Sequence, residues 1–311
     1  MERVDDRDLI DNFLQDCKLR NMSKHSIESY SSSLNLFLKF IKKDHYSFQT
    51  IDKNILEKYI EFLQSMNISY KTMQNRYSAF ISFYDYLVYE DKFKYNIVKD
   101  FRKRYLSKYK EDNGVKRKLI SVEEMARFIH FIPDIRDKTI VTLFAKTGIR
   151  RRELVSLDLS DINWDNMSIT LKPTNKRSNR VVYFDYETCV LLRRWLKKRG
   201  FFVESGNNAL FVSYTNKKKR LNRNGVGYMF VKWAETAGLH DPNSDKLSDF
   251  FTPHCCRHWF TTFLRRAGMP REFIMELRGD KRSSAMDVYY HVDHGELRRS
   301  YLACIPQLGI I

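Results

Sequence analysis

The sequence predicts a mainly α-helical protein with a small antiparallel β-sheet, an α+β chain in two parts. Three observations point there. Glycine and proline are scarce, 11 and 6 among 311 residues, which disfavours a loop-rich β or collagen-like chain. Apolar residues recur at the i, i+3, i+4, i+7 spacing of a helix with one buried face. Three short runs read as strands, and two of them, 168–171 and 180–184, flank a polar turn as in a hairpin. An apolar share of 43% supplies packed cores and excludes a disordered basic chain.

The elements follow in order. Leu9, Ile10, Phe13, Leu14 and Cys17 share one helical face. Ser23 can cap a second helix carrying Ile27, Tyr30, Leu34, Phe37, Leu38 and Ile41. Asp52 can cap a third with Ile55, Leu56, Tyr59, Ile60 and Leu63, and a fourth from near Lys71 carries Met73, Tyr77, Phe80, Ile81, Tyr84 and Leu87. Together they predict a small helical bundle over residues 1–101. The composition then shifts. Arg102-Lys103-Arg104, Lys108, Lys110 and Lys116-Arg117-Lys118 are opposed only by Glu111 and Asp112, so 102–118 reads as an exposed basic linker. It is either a solvated connector or a strap along a phosphate backbone. Residues 119–311 form the second domain. Ser121-Val-Glu-Glu124 is a capping box. A helix over 134–147 is stopped by Gly148, and another begins near Arg150. Asp185 can cap a helix bearing Val190, Leu191, Trp195 and Leu196, ended by Gly200, and Leu210–Tyr214 reads as a short strand.

Charge narrows the function. Fifty-five Lys and Arg against 38 Asp and Glu leave +17, which points to a polyanion, nucleic acid first and an anionic membrane surface second. No window holds the roughly 18–20 uninterrupted apolar residues of a membrane span. Residues 1–11 are charged and lack a signal-peptide core. The five cysteines show no C-x-x-C spacing, so a cytoplasmic chain with reduced thiols is expected.

Four segments could carry chemistry. In Thr252-Pro-His-Cys-Cys-Arg-His258, Thr252 and Pro253 suit a helix start, and His254, Arg257, His258 and Thr261 then fall on one face. A metal pair His254/His258 is disfavoured, because the glutamate of H-E-x-x-H is missing and an arginine sits among the ligands. The remaining readings are a plain capped helix and a phosphate-binding one. In Thr147-Gly-Ile-Arg150-Arg-Arg-Glu153-Leu154, Glu153 can orient Arg150. The turn Lys172–Asn179 presents lysines at a hairpin tip. Leu277-Arg-Gly-Asp280 precedes Tyr289-Tyr290-His291, where a phenol of pKa about 10 needs cations or a base to become a nucleophile.

These four segments, in this order, resemble the tyrosine recombinase (phage integrase) family, in a minimal two-domain form like the Xer or archaeal integrases. Thr147–Leu154 matches its T-G-[LI]-R-x-x-E-L box, His254–His258 matches H-x-[LC]-R-H, the hairpin supplies its lysine, and Tyr289 stands nine residues after Asp280. The likeness spans about Ser121 to Val292, and residues 1–101 are similar to the family's helical core-binding domain in shape. The resemblance implies a site-specific DNA recombinase, acting in integration and excision of a mobile element or in multimer resolution. Arg150 and Arg257 would clamp the scissile phosphate. Tyr289 would attack it, leaving a 3′-phosphotyrosyl link. Lys176 would protonate the leaving 5′-oxygen, with Lys172 as its rival. His254 would bind the phosphate or take the tyrosine proton, and Glu153 and His258 would support the others. No metal or other cofactor is implied. Asp280 joins the site as a departure, since the family has His or Trp there. The implied partners are double-stranded DNA half-sites and further copies of the chain, a tetramer on two duplexes, with the tail after Cys304 docking into a neighbour. The basic stretches 102–118, 172–180 and 217–223 are expected on the DNA backbone, with Arg117, Lys118, Lys172, Arg177, Arg180, Lys218 and Arg220 as contacts. A further arm-binding domain before residue 1 is not expected. Two alternatives stay open, a catalytically altered DNA-binding protein and a type IB topoisomerase-like enzyme.

Overall fold

The computed structural model describes residues 5–107, 118–173, 180–201, 203, 206–215, 219–244, 246–280 and 292–311. The chain divides into two compact units, 1–112 and 113–311. Among the described residues no helix is long and apolar enough to cross a membrane.

The first unit is a helical bundle: α1 (Asp6–Leu19), α2 (Lys24–Lys42), α3 (Lys53–Ser65), α4 (Tyr70–Tyr89) and α5 (Ile97–Tyr105). Ser23 and Asp52 cap α2 and α3, each side chain accepting from the backbone N–H three residues on. The predicted apolar faces meet in a core rich in aromatic rings, including Phe37 against Phe80 at 4.6 Å. One expectation is corrected. Arg102, Lys103 and Arg104 are the last turn of α5, not linker. Only Val98 and Phe101 are buried on α5, too few to stand out as a period, and Phe101 stacks on Tyr77 at 5.7 Å. The side chain of Gln74 then holds the Leu106 carbonyl at 2.8 Å, and the three cations suit the negative end of the helix.

The second unit holds α6 (Val122–Phe131), α7 (Ile135–Thr147), α8 (Arg151–Ser156), α9 (Tyr186–Gly200), α10 (Arg223–Thr236), α11 (Pro253–Arg266), α12 (Arg271–Arg278) and α13 (His294–Cys304). The Ser121/Glu124 capping box forms as read. Helix α7 is buried on nearly every side and serves as the axis of the unit. The sheet has three antiparallel strands in sequence order, β1 (Ile162–Asn163), β2 (Ser168–Leu171) and β3 (Arg180–Tyr183), with Ser168 opposite Tyr183 and Leu171 opposite Arg180. The run 210–214 is not a strand. It makes one bridge, Val212 with Arg220, beside another from the preceding Ala209 to Asp158, and its apolar residues fill the core instead, Phe211 stacking on Trp195 at 6.1 Å.

Helix α11 lies between two hydrophobic clusters. Cys255, Cys256 and Trp259 face the larger one, and Phe260 and Leu264 face a smaller one made with α12 and α13. This wedge fixes the arginine between them. Gly148 ends α7 in the left-handed region, φ 60°, and a Cβ there would lie 2.5 Å from the Phe260 ring. Only glycine lets α7 end so close to α11.

The C-terminal tail packs against the unit that it ends. Ile305, Leu308 and Ile310 are buried, and the Glu187 carboxylate accepts the N–H groups of Leu308 at 2.9 Å and Ile310 at 3.3 Å. Lys146, wholly buried, donates to Asp185 at 2.5 Å, Glu187 at 2.7 Å and the Pro306 carbonyl at 2.5 Å. The tail thus adds a carbonyl and backbone N–H groups to a buried ion cluster whose charges already pair with one another.

Candidate active site

The site is built on the end of α12. A helix C-terminus leaves carbonyls without intrahelical partners, and cations satisfy them best. Three arginines from three other elements do so here. Arg180 of β3 donates through Nε to the Leu277 carbonyl at 3.0 Å. Arg150, the N-cap of α8, and Arg257 of α11 both donate to the Arg278 carbonyl, at 3.2 and 2.7 Å. Arg257 also holds the Gly148 carbonyl at 2.6 Å, so the turn between α7 and α8 is tied to α11.

Glu153 is the shared counter-ion. Its carboxylate accepts the backbone N–H of Arg150 at 2.7 Å, and Arg180 forks onto it at 2.7 and 3.0 Å. Arg150 Nη1 lies 3.3 Å away. Burial pushes the Glu153 carboxyl up, but the hydrogen bonds and charges of Arg180, with those of Arg150, outweigh it and hold the group below its ordinary value of 4.5. A depressed carboxyl stabilises the fold fully above its unfolded pKa and loses that contribution as pH falls through the folded one. Stability of the second unit is therefore expected to drop as pH falls below about 4.5, and Glu153→Gln to flatten that part of the profile. Denaturant midpoints against pH check this; an unchanged slope in the Gln variant would exclude Glu153 as a contributor.

Arg257 is only 4% exposed. Burial, with Arg150 and Arg278 close by, pulls its guanidinium down to about 9, so it stays a cation at neutral pH in a site crowded with positive charge. Asp280 answers part of that charge. Its Oδ1 lies 3.2 Å from Arg257 and 3.7 Å from Arg150, and its Oδ2 lies 3.0 Å from Arg278. His254 and His258, one turn apart on the exposed face of α11, meet edge to face at 4.8 Å. An open groove of about 780 Å³ runs past Arg150, His254 and Arg257 and is walled further by Arg151, Arg152 and Arg223. Gly227 of α10 leaves room for Arg151, whose Nη1 would be 2.6 Å from a Cβ there.

The structure thus brings Arg150, Glu153, His254, Arg257, His258 and Asp280 together. Lys176, Tyr289, Arg117, Arg177 and Lys218 lie outside the described residues. Four expected DNA contacts are corrected or qualified. Arg180 is 7% exposed and spent on Glu153 and Leu277, so it is an internal strut, not a backbone contact. Strand alternation carried the signal, because Arg180 shares a face with buried Val182. Lys172 and Arg220 both pair with Asp158, and Arg220 also holds the Leu157 carbonyl at 2.8 Å. Lys118 donates to the Leu239 carbonyl at 2.9 Å. Arg278 is not among the residues that the sequence places in the site; the Gly279 beside it, a helix stop at φ 59°, was the available sign.

Comparison with known proteins identifies a family for both units. Residues 118–296 match the phage integrase family model, and residues 10–91 match the phage integrase N-terminal SAM-like domain. The tyrosine recombinase XerC of Staphylococcus aureus is 26% identical over 306 residues, 96% of each chain. Among solved structures, the Tn1549 transposon integrase in complex with transposon right end DNA superposes with a TM-score of 0.68 at 20% identity, over 94% of this chain and 97% of that one. The XerH site-specific recombinase bound to a palindromic difH substrate does so at 0.68 and 19%, over 94% and 80%. At these identities the solved structures speak to the fold.

Proposed function

This chain belongs to the phage integrase family and is a site-specific DNA recombinase, and within that activity we propose that Arg150 and Arg257 clamp the phosphate at which Tyr289 attacks. One observation supports the reading above all. Two guanidiniums from different helices reach a single carboxylate oxygen, at 3.2 and 3.7 Å, so they already bracket one anion-sized position. A phosphodiester there would meet two forks of N–H donors held by Arg278 and Gly148 carbonyls before the reaction begins. Preorganised donors of this kind stabilise the charge that grows on a pentacoordinate phosphorus.

The steps balance without an external energy source. The phenolic oxygen of Tyr289 forms a bond to phosphorus as the P–O5′ bond breaks. The phenol proton passes to His254 or to solvent, and Lys176 protonates the departing 5′-oxygen. The product is a 3′-phosphotyrosyl link and a free 5′-hydroxyl, and attack by a 5′-hydroxyl from a second duplex reverses the sequence. Lys176 is favoured over Lys172 because Lys172 is engaged by Asp158. Exchange between two duplexes needs four such tyrosines, so the proposal includes a tetramer on paired half-sites. Residues 1–101 would bind the duplex as a core-binding domain, with part of 102–118 as its connector.

Mapping covalent adducts on genomic DNA tests this. Denaturing detergent should trap the protein on 3′ ends at one recurring pair of inverted half-sites. Adducts scattered without a shared sequence would instead indicate a topoisomerase-like enzyme, and binding without adducts a catalytically altered DNA-binding protein.

A further inference from the structure

Asp280 stands where a phosphodiester would have to sit. Its Oδ1 faces Arg257 at 3.2 Å and Arg150 at 3.7 Å, so the carboxylate uses the guanidinium edges that the clamp offers to an anion. Carboxylate and phosphate oxygens are equivalent acceptors for an arginine fork, and one edge cannot serve both fully. Two anions 3–4 Å apart also repel. The placement is built in. Helix α12 closes with the N–H of Gly279 on the Glu276 carbonyl at 2.9 Å and that of Asp280 on Met275 at 3.1 Å, and the positive φ of Gly279 turns the chain toward the arginines. The side chain is not sealed in; 27% of it is exposed. It also has somewhere to go, because Oδ2 is already on Arg278 Nε at 3.0 Å.

We propose that Asp280 is an internal competitor for the phosphate, neutralising Arg150 and Arg257 in the DNA-free chain and yielding to the phosphodiester by withdrawing onto Arg278. The proposal rests on the reading of the two arginines as the phosphate clamp. Its consequence is selectivity. A lone phosphate must displace a tethered carboxylate, so casual contacts with DNA or free anions leave the clamp shut. A phosphate delivered by a bound half-site arrives with the binding energy of the whole duplex behind it and opens it.

The test uses the full chain and inorganic sulfate as the probe, followed by calorimetry. Asp280→Asn keeps the shape and removes the charge, and it is expected to bind sulfate on the order of tenfold more tightly than wild type, the scale of one like-charge contact at about 4 Å largely screened by water. Asp280→Ser should behave alike, and adding Arg257→Lys to Asp280→Asn should remove the gain. Wild-type chain gives a second measurement free of any folding defect. Carbodiimide coupling of an amine to Asp280, read by mass spectrometry, should rise severalfold when sulfate is present, as the carboxylate leaves the arginines. Equal or weaker sulfate binding in both variants, or labelling that sulfate does not change, would overturn the competitor. Either result leaves the recombinase reading intact, whereas absence of a DNA adduct in wild type would remove that reading without touching the sulfate data.

Discussion

Replacing Arg257 with alanine is expected to lower the rate of covalent adduct formation by about a thousandfold or more, on the order of what one arginine contributes to phosphoryl transfer. The reason is geometric. Arg257 is buried, is drawn taut between the Gly148 and Arg278 carbonyls, and presents its remaining edge to Asp280. Nothing else among the described residues occupies that position. Alanine also orphans the Gly148 carbonyl and leaves the Arg278 carbonyl to Arg150 alone, so a stability loss of about 1–3 kcal/mol accompanies the loss of rate. Lysine separates the two effects. It keeps a charge and can satisfy one carbonyl, yet it has no planar fork, so most of the stability should return while most of the rate does not. A Lys variant with wild-type adduct formation would show that charge alone suffices and that the fork geometry is irrelevant. A nearly wild-type rate in the Ala variant would take Arg257 out of the clamp.

Lys146→Met is expected to destabilise the second unit by about 3–5 kcal/mol, the cost of removing one partner from a buried ion cluster. Its ammonium is fully enclosed by Asp185, Glu187 and the Pro306 carbonyl. Methionine fills similar space but strands two carboxylates. One of them, Asp185, caps α9 through the N–H of Thr188 at 3.1 Å, and the other grips the tail. The thermal midpoint should fall by roughly 10 °C for a unit of this size. Because Tyr301 of α13 donates to the Lys146 carbonyl at 2.9 Å, α7 and the tail should loosen together, and residues 305–311 should become the first site of proteolysis. A variant within about 1 kcal/mol of wild type, with its tail protected, would show that the cluster relaxes without loss.

Much of the site was legible along the chain because its residues sit in local motifs. Thr147–Leu154 encodes a helix stop, an N-cap and a carboxylate on the same turn, and all of these are properties of short spacing. Thr252–His258 encodes a capped helix in the same way. What the local pattern could not reach was anything decided by distant pairing. Arg180 looked like a surface cation at a hairpin because the polar turn beside it dominates the composition, although its strand register turns it toward Glu153, 27 positions away. Lys146 looked like one more charge on a helix, since its partners lie 39, 41 and 160 positions further on. The fifth helix of the bundle buries two apolar residues among nine, below what periodicity resolves against three consecutive cations. The tail reads as an apolar end seeking a partner, and the sequence alone does not say that Glu187 supplies it within the same chain. The opening charge of +17 is likewise divided by the structure: Lys172 and Arg220 meet Asp158 and Arg180 meets Glu153, while the arginines lining the groove by His254 remain clustered around one anion position.

The most direct test of the account is covalent trapping on a suicide DNA duplex nicked beside the mapped cleavage position. Wild-type protein should form a detergent-resistant adduct on the 3′ phosphate, Tyr290→Phe should form it too, and Tyr289→Phe should form none while still binding the duplex. An adduct that persists in the Tyr289→Phe protein would contradict the assignment of the nucleophile and, with it, the mechanism derived from the arginine clamp.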